Sequence, residues 1–179
     1  MNPYQFVADA TANGQSLLSL CSGIGLELSG LSTQDVTAVD MSPEYLDQVK
    51  HRCPQAKTVQ MDALEYVKQQ PDKSVDVISI IDGIEHMDKE TGVKLIPEMK
   101  RVATEILLFT PQGKGDDGFL KNEPHNAWGI VGSDHLQLHK SGWTAKELED
   151  LGFFKMQTTE DTSQHGEPYT ALMYGWRDV

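Results

Sequence analysis

The stretch SLLSLCSGIGLELSG, residues 16–30, sets an apolar run directly against two closely spaced glycines, Gly23 and Gly25, before an amphipathic run begins. It is too poor in glycine for a flexible linker and reads as a strand turning into a helix. In a doubly wound sheet, the turn after the first strand faces the crevice where ligands bind, and glycine there permits unusual backbone angles and close approach of a ligand. The dinucleotide pattern G-x-G-x-x-G requires a third glycine at position 28, which is Leu28; the next one is Gly30. The glycine pair alone is equally compatible with a tight packing turn that binds nothing.

Working outward, short β-prone runs alternate with longer helical ones from Ser16 to Thr110, which predicts a parallel sheet covered on both faces. Strands are predicted over 16–21, 35–40, 57–61, 74–81 and 105–110. Between them, Ser42 and Pro43 read as N-cap and first residue of a helix running to His51. Further helices are predicted over 4–12, 63–70 and 91–101, the last with Val93, Ile96 and the stem of Lys100 on one side. The basic strip from Lys94 to Arg101 reads as a solvated helix face. After Pro111 the polar run QGKGDDG breaks regularity until a helix begins at Thr144. Two strands, 153–158 and 169–176, joined by a turn at 163–166, form an antiparallel hairpin.

At 179 residues the chain fits a single domain, residues 1–179, with 112–143 as a lid or loop over an acceptor site. Fifteen basic against 27 acidic residues give a net charge of −12, which disfavours a nucleic-acid partner. No apolar run is long enough to cross a bilayer, so no membrane partner is expected. Two cysteines without a leader segment predict reduced thiols and a cytoplasmic location. Oligomeric state is not legible.

Asp40 closes the second predicted strand, Asp62 the third and Asp82 the fourth. One carboxylate at a strand end is commonly a helix cap. Three on the same edge of one sheet would line a single crevice.

SLLSLCSGIGLE, TAVDMSPEYL, VQMDALEYV, VDVISIIDGIEHM and EILLFTPQG, in this order, resemble the successive motifs of class I S-adenosylmethionine-dependent methyltransferases, and HLQLHKSGWTAKELEDLGF resembles the segment before their last strands. The resemblance implies a Rossmann-like α/β fold: a doubly wound, mostly parallel seven-stranded sheet with an antiparallel C-terminal hairpin and helices on both faces. It implies S-adenosylmethionine as cofactor. Cys21, Gly23 and Gly25 would lie around its methionine portion, Asp40 on the ribose diol, Met41 on a face of the adenine, Asp62 and Ala63 at the adenine edge, and Asp82 beside the sulfonium. Two positions depart from the family: Ser19 stands where an acid is frequent and Cys21 where glycine is frequent.

Methyl transfer from a sulfonium chiefly needs alignment and exclusion of water, and an oxygen acceptor also needs help in losing its proton. Glu85 and His86 are the candidate catalytic pair after Asp82, with His86 as general base. Carboxylate-x-x-Glu-His followed by a distant histidine, His139 or His135, also resembles the divalent-metal site of some O-methyltransferases. Asp82 replaces the usual first Glu of that pattern, so a metal is possible but not favoured. Phe119, His125, Trp128, His139 and Trp143 are available to cover a ring-shaped acceptor, although both tryptophans also suit packing of the lid. The reading is therefore a methyltransferase, favouring O- over N- or C-methylation of a small-molecule or terminal-sugar acceptor. Alternatives are a non-catalytic nucleoside-binding or protein-interaction module on the same fold and a nucleotide-dependent oxidoreductase. The missing third glycine and the terminal hairpin tell against the latter.

Overall fold

The computed structural model describes residues 2–123, 130, 133–163 and 166–178. Seven strands form one sheet: β1 (Leu17–Leu20), β2 (Val36–Asp40), β3 (Lys57–Gln60), β4 (Val75–Ile81), β5 (Ala103–Gln112), β6 (Phe154–Thr162) and β7 (Pro168–Arg177), in the order β3-β2-β1-β4-β5-β7-β6. The first five pair in parallel, and β7 runs antiparallel between β5 and β6. The strand order reverses beside β1, between β2 and β4. That topological switch point leaves a crevice outside the carboxyl ends of the strands.

Apolar composition explains the centre of this sheet. All four residues of β1 are buried, and the last five of β4 are too, as expected for strands covered on both faces. One core layer joins Leu18, Leu20, Ile78 and Ile80 to α3 (Ala63–Lys68), α4 (Lys89–Val102) and α5 (Ala145–Asp150). The opposite layer joins Leu17, Val36, Val77 and Leu107 to α1 (Pro3–Ala10) and α2 (Pro43–Arg52).

Local signals set the helix ends. The Ser42 hydroxyl accepts from Tyr45 N with Pro43 in the first turn, as predicted. Asp62 caps α3 through Glu65 N, and Thr144 with Glu147 forms a reciprocal capping box on α5. The buried stripe of α4 differs from the expectation: Val93 is 47% exposed, while Gly92, Leu95, Ile96, Met99 and Val102 face the core. Trp143 decides that rotation, because its indole lies where a side chain on Gly92 would sit, 2.5 Å from an added Cβ. The basic strip is also less solvated than predicted. The Lys100 ammonium donates to Leu151 O, and Arg101 pairs with Asp72 and Glu98.

The terminal hairpin extends over Phe154–Thr162 and Pro168–Arg177; Gln164 and His165 of its predicted turn lie outside the described residues. No helix among the described residues is long and apolar enough to cross a membrane.

Candidate active site

A cavity of about 640 Å³ opens at the carboxyl ends of β1 to β4. The predicted residues Cys21, Gly23, Asp40, Met41, Asp62, Ala63 and Asp82 line it, together with Glu85, His86 and His139. The three strand-end aspartates thus share one hollow. Gly25 does not line it: at φ +75° it makes room for α2, since a Cβ there would meet Val49 Cγ2 at 3.0 Å.

The turn after β1 is tied to the end of β2. Asp40 Oδ2 accepts from Gly23 N at 2.9 Å and its Oδ1 from Ser42 N at 2.9 Å, so one carboxylate fixes both neighbouring turns. Burial pushes the Asp40 carboxyl up, and the amides of Ser42 and Gly23 oppose that rise. Met41 lines the cavity and is 53% exposed, an exposed apolar side chain beside Asp40.

Two non-glycine residues sit in the left-handed region at adjacent strand ends: Cys21 at φ +52° after β1 and Asp82 at φ +48° after β4. Such strain concentrates at functional sites. The turns touch, because a Cβ on Gly83 would lie 2.8 Å from Cys21 Cβ. Burial, reinforced by surrounding carboxylates, raises the Cys21 thiol well above its ordinary value, so it stays protonated and is no nucleophile.

On the β4 side, Ile84–His86 forms a 3-10 turn. Glu85 is buried; its Oε2 accepts from Thr110 Oγ1 at 3.0 Å, and its buried Oε1 has no hydrogen-bond partner among the described residues. Burial pushes its carboxyl up to about 7, and Asp82 is raised well above the usual range by burial and the nearby Glu85 charge. His139 arrives from far along the chain. Lys140 N and Ser141 N both donate to Glu85 O, while Asn122 receives His139 N and donates to Gln137 O. The two imidazoles lie 5.1 Å apart between centroids. His86 Nδ1 lies 3.2 Å from Leu138 O and His139 Nδ1 2.6 Å from Leu120 O. A carbonyl oxygen only accepts, so Nδ1 carries the proton in both rings and Nε2 is the basic nitrogen of each neutral imidazole.

Ligand atoms of Glu85, His86 and His139 all lie within 4.8 Å of one another, the arrangement of a cluster able to hold a metal ion. Asp82 stands outside that cluster, and His135 is exposed and does not line the cavity. Among the predicted covering residues, Phe119 and Trp143 do not line the cavity either. Trp143 is buried in the core with Lys89 Nζ 3.6 Å from its ring, because packing against Gly92 outweighs exposure to the hollow. His125 and Trp128 lie outside the described residues. The lining also holds residues the sequence did not single out, including Tyr4 of α1, Glu27, Asn122, Leu136, Gln137 and Lys140.

The seven-stranded order with a reversed β7 and a cavity over β1–β4 define the class I methyltransferase architecture. Residues 17–105 match the family model described as a methyltransferase domain. No curated protein sequence matches the chain. Solved structures of similar fold include the 1,6-didemethyltoxoflavin-N1-methyltransferase of Burkholderia thailandensis, 14% identical with TM-score 0.68, covering 98% of this chain and 77% of that one. The YcgJ protein of Bacillus subtilis is 16% identical with TM-score 0.68, covering 99% of both chains. A putative RNA methyltransferase of Pyrococcus horikoshii is 14% identical with TM-score 0.61, covering 99% of this chain and 81% of that one. The chain is a class I S-adenosylmethionine-dependent methyltransferase, and S-adenosylmethionine is its cofactor.

Proposed function

We propose that this methyltransferase acts on an oxygen of a small-molecule or terminal-sugar acceptor, with His86 as general base. The observation that carries this reading is the meeting of Glu85, His86 and His139 in the cavity wall beside Asp82. An oxygen acceptor must lose a proton, and a neutral imidazole whose Nδ1 is held by Leu138 O offers Nε2 for it.

The nucleoside fits the β2 and β3 side: Asp40 for the ribose hydroxyls, Met41 for an adenine face, Asp62 and Ala63 for its edge. Gly23 and Cys21 would hold the methionine portion, and Asp82 would lie on the sulfonium side. When bound, the cofactor supplies a methyl group already activated on a sulfonium. Buried carboxylates around the hollow favour that positive charge, and a cation there lowers their raised pKa values in return. His86 Nε2 takes the acceptor's proton, Glu85 stabilises the resulting imidazolium from 3.9 Å, and His139 flanks it. The acceptor side is the one lined by Asn122, Leu136, Gln137, His139 and Lys140, the described residues that the predicted lid contributes to the cavity. The net charge of −12 favours a small acceptor over a long polyanion. A cytoplasmic location accords with the unbridged thiols of Cys21 and Cys53.

A second reading, that Glu85, His86 and His139 hold a divalent cation, is favoured by Glu85 Oε1, which accepts no hydrogen bond among the described residues, and by the backbone carbonyls that orient both rings. Mixed carboxylate and imidazole donors suit a borderline cation, which would lower the pKa of an acceptor hydroxyl.

The test is transfer of labelled methyl to a panel of hydroxylated ring compounds and to RNA 3′ ends, with the modified atom located in the product. O-methylation supports the proposal. Modification at nitrogen overturns it; the Burkholderia protein of this fold is an N1-methyltransferase, so that outcome needs excluding. Turnover abolished by a chelator with nucleoside affinity unchanged selects the cation over the unaided base.

A further inference from the structure

We infer that Glu27 holds the α-ammonium group of the cofactor's methionine end. This deepens the function proposed above and rests on it. Glu27 lies in the 3-10 turn Leu26–Leu28, directly after the Gly23–Gly25 turn, and is only 5% exposed. Ser19 and Ser79, opposite one another in the β1–β4 register, both donate to the same oxygen, Oε1, at 2.6 and 3.0 Å. Among the described residues Oε2 accepts no hydrogen bond, and Glu27 lines the cavity.

A carboxylate buried this deeply is costly unless its remaining lone pairs are used. Two hydroxyls fix its position without neutralising it, and no ion pair engages it among the described residues. The groups facing it are acids or neutral donors: Asp40 and Asp82 from the strand ends, the Cys21 thiol after β1 and the Tyr4 phenol from α1. What is missing is a cationic donor, and the ligand must bring it.

Position selects the part of the ligand. The nucleoside contacts proposed above lie on β2 and β3, and the sheet continues through β1 to β4. A cofactor seated there extends its tail across Gly23 toward the β1–β4 pair that carries Ser19, Ser79 and so Glu27. The tail bears two positive groups, a sulfonium and an ammonium. Only the ammonium has N–H bonds to give to Oε2. Burial raises the Glu27 carboxyl to about 7, and an ammonium group beside it would lower that value.

The test measures binding of three ligands by calorimetry to wild type and to Glu27→Gln. S-adenosylhomocysteine carries the ammonium, its desamino analogue lacks only that group, and 5′-methylthioadenosine lacks the whole amino-acid end. Glutamine keeps an oxygen for both serines and so preserves the local hydrogen bonds. The expected result is that Glu27→Gln weakens S-adenosylhomocysteine about tenfold or more and leaves the other two within about twofold. Equal weakening of all three, or weakening of none, overturns the assignment. Should the variant not fold, wild type alone decides: it must prefer S-adenosylhomocysteine to the desamino analogue, increasingly so as pH rises through 7, and indifference overturns the proposal. Wild type that binds 5′-methylthioadenosine but does not discriminate refutes only the role of Glu27. Wild type that binds none of the three refutes the proposed cofactor geometry as well.

Discussion

On the β2–β3 side of the cavity, each polar group comes from the short turn between a strand and the next helix: Asp40 at the end of β2, Asp62 capping α3. On the β4 side, Glu85 and His86 meet His139 only because Asn122 and the amides of Lys140 and Ser141 pin a distant segment onto one short turn. The first side is held by local geometry repeated from one β-α unit to the next. The second is an assembly of long-range contacts. The function proposed above divides along the same line, with the nucleoside assigned to the strand ends and the chemistry to the long-range assembly.

Substitution of His86 by alanine should have the largest effect, lowering turnover by roughly 10²- to 10⁴-fold, the ordinary range for a general base. S-adenosylhomocysteine affinity should remain within about threefold by calorimetry, and joint loss of both would dissolve the distinction between the two sides. Asp40→Ala should weaken nucleoside binding about 100-fold, because two backbone amides lose a charged acceptor along with any ribose contact. Unchanged affinity would remove the aspartate rim from the cofactor site.

A third outcome concerns Glu27 in the ligand-free protein. Its carboxyl rises from an ordinary 4.5 to about 7 on folding, so the folded state binds the extra proton between those values. Its favourable contribution is complete below about pH 4.5 and is lost as pH rises through 7. Glu27→Gln should therefore be more stable than wild type at pH 8, by up to about 3 kcal/mol, with the advantage shrinking toward pH 4.5. Urea midpoints across that range check it. The smallest effect is expected of Ser133→Ala. Its hydroxyl bonds Ser42 Oγ at 2.7 Å and ties the segment around Ser133 to the cap of α2, so stability should fall by about 1 kcal/mol or less. Any larger loss would make that tie a structural strut of the nucleoside side as well.

The same contrast explains what was legible. Asp40, Asp62 and Asp82 announce themselves because strand-end residues follow directly from the alternation of apolar runs, and Ser42-Pro43 carries its own cap signal. Glu27 does not, because its meaning depends on Ser19 and Ser79 being neighbours across β1 and β4. The available hint was a glutamate inside the apolar run LEL, beside a strand carrying a lone serine at position 19. Asn122 gave no signal at all, since it acts by joining two irregular segments. The rotation of α4 differs from the apolar periodicity at Val93 because periodicity carries no sign of an indole filling the space above Gly92. Phe119 and Trp143 lie away from the cavity for a related reason: aromatic composition marks a segment as apolar without saying which side of it faces the hollow.

The place of β7 between β5 and β6 has a bearing on biosynthesis. The five parallel strands can zip together in the order the ribosome delivers them, but the outer edge of β5, from Glu105 to Gln112, must wait for the segment Thr170 to Arg177 to emerge before its ladder is filled. Until then a nascent chain displays a long apolar border ready to capture a neighbour, so crowded polysomes are where this enzyme is most exposed to misassembly.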